Sequence, residues 1–178
     1  MITIEYEKTP EFGDLVPQGG QMLPIKRILC PTDFSEPSYA ALKIAAELAG
    51  HFEAALKVLH VMPLVPAYSP PPETLTSGAG APPYGEQLTL HHDKVLKDLL
   101  GEMVPQEIPA TAAIRTGEAV QEIVAFAAKE NIDLIVIASH GQSGWRRLII
   151  GSVTEQVVRL SPCPVLVIQE PSGEKQEK

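Results

Sequence analysis

The chain lacks what would staple or metallate a small fold. It has two cysteines, Cys30 and Cys163, in 178 residues, and two thiols make neither a disulfide framework nor a metal set. Each flanks an apolar run, so both are expected to be small buried hydrophobes. Aromatic residues are only 5% of the chain, so its core must be assembled from Ala, Leu, Ile and Val. Positive charge is also scarce: 14 Lys and Arg stand against 22 Asp and Glu, a net charge of −8. That balance argues against a nucleic-acid or anionic-membrane surface. No apolar run approaches the ~20 residues that a membrane helix needs. Residues 1–20 carry Glu5, Glu7, Glu11 and Asp14 and no apolar signal core, so the expected location is the cytoplasm.

What is present is an alternation of short Val/Ile/Leu runs with amphipathic segments. Residues 1–24 read as an N-terminal extension, 25–170 as one domain and 171–178 as a charged tail. A first strand is expected over Ile25–Cys30, ended by Pro31-Thr32-Asp33, because proline cannot donate to a ladder. Ser35 then caps a helix with Pro37 in its first turn, and Gly50 is expected to close it. Ala54–Val61 is the second strand. Residues 62–86 hold most of the chain's proline-rich sequence and read as a long loop. A helix follows over Gln87–Met103, whose His91 and His92 are expected to be solvated. Ile108–Ile114, with Pro109, suits an edge strand. Glu118 opens a helix to Lys129, Asp133–Ser139 is the fourth strand, Ser152–Leu160 the last helix and Val165–Ile168 the fifth strand. Strands and helices in this order give a parallel sheet with right-handed crossovers and helices on both faces. Ligands in such folds bind outside the carboxyl ends of the strands, where the strand order reverses. If the first and fourth strands are neighbours, Pro31-Thr32-Asp33 and Ser139-His140-Gly141 line one crevice.

The stretch 133–154 carries the strongest chemical signal. Leu134–Ala138 is an unbroken apolar run, which suits a strand buried on both faces. It breaks into Ser139-His140-Gly141, and Gly151-Ser152 then precedes a helix. Buried strand, glycine-bearing loop and helix N-terminus is an order that holds phosphates: glycine admits close approach, and first-turn N–H groups point at the anion. No lysine precedes Ser or Thr in a glycine loop, so this is not a Walker A loop. No GxGxxG follows the first strand, which excludes the dinucleotide fingerprint.

Three separated segments resemble the universal stress protein family. They are Ile28-Leu-Cys-Pro-Thr-Asp-Phe-Ser35, Val58-Leu-His-Val61, and Ala138-Ser-His-Gly141 through Gly151-Ser-Val-Thr-Glu155 with Pro162-Cys-Pro-Val-Leu-Val-Ile168. The last is similar to that family's Gly-x2-Gly-x9-Gly-Ser/Thr pattern, with Ala138 at the first glycine. The resemblance implies a three-layer α/β/α sandwich of the adenine nucleotide α-hydrolase-like type. Its five-stranded parallel sheet would have the order 3-2-1-4-5, and two copies would pair through Val165–Ile168. It implies a site for ATP, or for AMP or ADP, with Mg²⁺ or Mn²⁺ accompanying the phosphates. In that site Asp33 and Pro31, beside Thr32, face the adenosine part, and the Val61 backbone meets the adenine edge. Ala138 sits near the ribose, with Ser139 and His140 beside the ligand. The N–H groups of Gly141, Gly151, Ser152 and Val153 hold phosphates, with the Ser152 and Thr154 hydroxyls. Arg146 or Arg147 offsets phosphate charge, and Asp33 takes part in holding the metal that rides on the phosphates.

Other readings stand beside these. Asp33 can cap the first helix, Ser152 can be an N-cap alone, and the two glycines can serve turns only. Trp145 reads as a surface or interface anchor. A nucleotide-free interaction module, a slow ATPase and a flavin-type redox protein share the same fold. No side chain stands out as a base for water, so true catalysis is not expected.

Overall fold

The computed structural model describes residues 24–64, 84–140 and 151–169, with side chains of the second helix from Leu90 onward. Five strands, β1 (Arg27–Thr32), β2 (Ala55–Met62), β3 (Ala110–Thr116), β4 (Leu134–Ala138) and β5 (Val165–Ile168), alternate with four helices. These are α1 (Glu36–Phe52), α2 (Tyr84–Met103), α3 (Ala119–Lys129) and α4 (Ser152–Leu160). The sheet is parallel throughout, with the order β3-β2-β1-β4-β5. The expected strand order is therefore the observed one, and β3 and β5 are its edges. The extension, most of the proline-rich segment, the loop with Gly141, Trp145, Arg146 and Arg147, and the tail lie outside the described residues. No described helix is long and apolar enough to cross a membrane.

The central strands are apolar on both faces, which is why their sequences read as continuous runs rather than alternations. Ile28, Cys30, Leu56, Val58 and Val136 face one way, under α1 and α2. Leu29, Leu59, Ile135 and Ile137 face the other way, among side chains of α3 and α4. Small side chains let α1 sit close: Ala41, Ala45, Ala46 and Ala49 are buried with Leu42. Cys30 is fully buried, and burial pushes its thiol up to about 12, so it is inert as expected. Cys163 is only half-buried.

Several boundaries shift: β3 begins at Ala110, past Pro109, rather than at Ile108, and α2 begins at Tyr84 rather than Gln87. Two further shifts have a clear physical reason. Gly50 does not close α1, which runs to Phe52, with Glu53 taking the left-handed cap position at φ 52°. Phe52 packs against the core one turn beyond Leu48, and that contact rewards the extra turn more than Gly50 rewards an early stop.

Nor does Pro31 end β1, which continues to Thr32 paired with His60. The reason lies in the parity of the ladder. Ala55 N–H donates to Lys26 O and Asp133 N–H donates to Arg27 O, so even residues of β1 face β2 and odd residues face β4. Pro31 thus lacks its donor only on the β4 side. There the pairing stops at Leu29 and Ile135, because the next rung would need an N–H from residue 31. At the opposite end Asp133 clasps the same two strands, its Oδ2 accepting from the N–H groups of Lys26 (2.9 Å) and Arg27 (2.8 Å). The β1–β4 seam is closed at its amino end and split at its carboxyl end.

Candidate functional site

The split is the point where strand order reverses: β1 leads outward to β2 on one side and to β4 on the other. A crevice of about 300 Å³ opens there. Its lining brings together Pro31, Thr32, Asp33, Val61, Ala138, His140, Gly151, Ser152, Val153 and Thr154, ten of the residues expected at the site. Leu59, Ala119, Ile123 and Ile137 add a dry wall on the α3 side, and Ser38 adds a hydroxyl. Sequence reading did not find these five, because each looks like an ordinary core or helix residue until the sheet is assembled. One side of the hollow is therefore apolar and the other polar, a lining that suits a flat heterocycle carrying a charged tail.

The polar side is built by two turns. In the first, Asp33 Oδ1 accepts from the Ser35 N–H (3.1 Å) and from the Ser35 hydroxyl. Ser35 is the N-cap of α1, accepting from Ser38 N–H. Asp33 thus braces the helix start and lines the crevice at once, so the two readings of this residue are compatible. Phe34, the next residue, has φ 63°, a conformation that costs a β-carbon-bearing residue roughly 1–2 kcal/mol. Its N–H donates to Thr32 Oγ1 (3.1 Å). Among the described residues no cluster of three His, Cys, Asp or Glu can hold a metal.

The second turn joins β4 to α4. Gly151 approaches the end of β4 closely: its N–H donates to Ser139 O (2.8 Å), and a β-carbon there would stand 3.2 Å from that same oxygen. Its φ is −59°, so close approach and not backbone sign favours glycine. The Gly151 amide expected to meet phosphate is thus already occupied. The Thr154 hydroxyl is committed too, donating to Ala138 O (2.8 Å) while 4% exposed. A phosphate oxygen needs a donor, so Thr154 offers it no proton.

What remains is the start of α4. Gly151, the N-cap, supplies no side-chain cap bond, whereas Ser35 and Glu118 cap α1 and α3. The first-turn N–H groups of Ser152, Val153 and Thr154 have no acceptor within the helix. They carry the positive end of its dipole. Ser139 stands behind the lining, its N–H on Ile168 O and its Oγ 3.0 Å from His140 Nδ1. His140 lines the crevice, and its Nε2 is buried with no partner among the described residues. Ala138 needs no positive φ, so alanine fits the backbone where the family pattern has glycine.

On β2, Ala55 faces β1, so Val61 shares that direction. It lies one residue beyond His60, the last partner of β1. Its carbonyl is thereby directed past the end of β1 toward the crevice.

The profile of the universal stress protein family matches residues 24–169. A universal stress protein of Methanocaldococcus jannaschii is 32% identical over 149 residues, 84% of this chain and 85% of that one. The universal stress protein UspA of Lactobacillus plantarum superposes with a TM-score of 0.62 at 25% identity, covering 81% of this chain and 97% of that one. A universal stress protein of Archaeoglobus fulgidus, solved in complex with dAMP, has a TM-score of 0.57 at 19% identity over 82% of this chain and 98% of its own. Matched across its whole β1-to-β5 span, the chain belongs to the universal stress protein family.

Proposed function

We propose that this protein binds an adenine nucleotide in the β1–β4 split, ATP foremost, with AMP or ADP held at the same site. The observation that carries this reading is the uncapped N-terminus of α4 opening onto a crevice with one dry wall. The base lies on the dry side formed by Leu59, Ile123 and Ile137, with the Val61 carbonyl at its edge. Asp33 and Pro31 face the adenosine part, and Ala138 lies by the ribose. The amides of Ser152 and Val153 hold phosphate, joined by the Gly141 loop. His140 Nε2, with its tautomer set through Ser139, supplies one further contact. Magnesium or manganese, when present, rides on the phosphates. That the same fold holds dAMP in the A. fulgidus protein supports the choice of adenine. Titration of the purified protein with ATP in a calorimeter should give saturable heat; none at millimolar ligand overturns the proposal.

The protein then acts in the cytoplasm as a nucleotide-responsive homodimer in a stress response, not as an enzyme. Its pairing edge is β5, a short strand without charge whose outer side is otherwise an open template for another strand. Leu166 on that strand is 38% exposed, and Val158 and Leu160 on α4 are exposed as well. Leu166→Lys should leave the fold intact and shift the sedimentation coefficient to that of one chain. An unchanged dimer would move the interface elsewhere.

A further inference from the structure

A second side-chain cluster stands at the carboxyl edge of the sheet, on the face covered by α1 and α2, and the nucleotide reading leaves it unused. His60 points from β2 into that face and is 7% exposed. Its Nδ1 lies 2.9 Å from the Thr32 carbonyl oxygen, so Nδ1 carries the ring proton. Nε2 of the neutral ring is then an acceptor, and His92 Nδ1 on α2, 2.9 Å away, donates to it. The ring of Phe34 is tilted against His60, with centroids 4.3 Å apart, and meets His92 at right angles with centroids 5.9 Å apart. A continuous run of bonds therefore leads from α2 to Thr32, and from Thr32 Oγ1 to Phe34 N–H. Asp33 sits between those two residues and lines the crevice. The expected solvation of His92 is overturned, since it is half-buried and bonded across 32 residues of sequence.

We infer that the His92–His60–Thr32 relay is a proton-operated latch that ties α2 to the Asp33 turn when both rings are neutral and releases it when they take up protons. The donor count dictates this. One added proton can be accommodated if His60 Nε2 becomes a donor and His92 presents a bare Nδ1. A second sets N–H against N–H across the same gap and breaks the bond. The charged and titratable neighbours of the pair among the described residues are Asp33 on the β1–α1 turn and His91 beside His92 on α2. From β3, the residue opposite His60 is the apolar Ile114, and α1 contributes the uncharged Ser38 hydroxyl to Thr32.

Burial, foremost, holds His60 below its ordinary value of 6.5, and a charge on His92 acts the same way; the Thr32 bond and Asp33 oppose them. The sign follows. The unfolded chain takes up this proton first, so stability contributed by the neutral His60 is present above 6.5 and is lost as pH falls below it. The pair thereby reports mild acidification to the wall of the crevice.

Hydrogen exchange of the full chain at about pH 7.5 and about pH 5, low enough for the second proton that release requires and corrected for intrinsic chemistry, tests the latch. Peptides covering 31–36 and 90–96 should lose protection about tenfold in the wild type at the lower pH. His92→Gln keeps a donor toward His60 and cannot titrate, so its loss should be about threefold or less. Equal responses in the two proteins, or no response in the wild type, overturn the proposal. Imidazole nitrogen shifts of the wild type decide independently of any variant: His60 must be the Nδ1–H tautomer at neutral pH, and any other tautomer sinks the relay. ATP affinity should fall with the same wild-type pH profile, and this arm alone rests on the nucleotide reading. Absence of ATP heat at every pH refutes that reading, while exchange still decides the latch.

Discussion

Ser152→Asp is expected to weaken ATP binding about a hundredfold, which corresponds to roughly 2.7 kcal/mol, without lowering the melting temperature. Ser152 is the first residue of α4 and is exposed, and its helix start has no side-chain cap. A carboxylate placed there supplies the anion that, on the proposed reading, the helix end would take from a ligand. It stabilises the free protein by about 0.3–1 kcal/mol through the helix dipole and repels phosphate from the same spot. Affinity and stability should therefore move in opposite directions, affinity by calorimetry and stability by thermal unfolding. A variant that melts earlier and binds as before would show that Ser152 matters to the fold alone. Adenosine, which brings no phosphate, should lose little affinity, so the ratio between adenosine and ATP isolates the charge effect.

Thr154→Val reverses that pattern. Valine fills nearly the same space, but Ala138 O loses the hydroxyl that reaches it at 2.8 Å inside the protein. An acceptor left without a partner in a buried position costs about 1–3 kcal/mol, so the melting temperature should drop by several degrees. This bond and the one from Gly151 N–H to Ser139 O are what hold the start of α4 against the end of β4. Loosening them should also reduce ATP affinity, as a smaller and secondary effect. Undiminished stability with lost binding would place the hydroxyl on the ligand instead. Both variants use one instrument pair, and together they separate the amides of α4 from the scaffold that aims them.

The two variants also mark where sequence reading reached and where it stopped. Ser152–Leu160 and Val165–Ile168 were legible to the residue, because glycine and proline punctuate their ends and an apolar period fills them. The ends of β1 and α1 were not. Pro31 can stop a ladder on one side only, and which side depends on neighbours that no local window contains. Gly50 is a good stop signal, but Phe52 has a core contact to gain beyond it. Gly151 was findable because a glycine-bearing loop after a buried strand suits an anion, whereas Asp33 and Ala138 gained their site roles only from the family resemblance. The occupied state of the Gly151 amide and of the Thr154 hydroxyl was not, since both bonds are closed by tertiary approach. His60 carried a faint signal, an imidazole at an inward position of the apolar run Val58-Leu59-His60. Its partner His92 carried none, for nothing in a helix period says which ring will meet a strand 32 residues earlier.

Pro31 has a wider consequence. A crevice is expected wherever strand order reverses in a parallel sheet. Here an imino acid also removes one rung from the backbone itself, so the two strands cannot pair further toward their carboxyl ends. A ligand entering this split would meet a gap that is already open, with no backbone rung to break first. Adjustment to such a ligand would then fall to the two turns at the rim, with the paired part of the sheet beneath them left as it is.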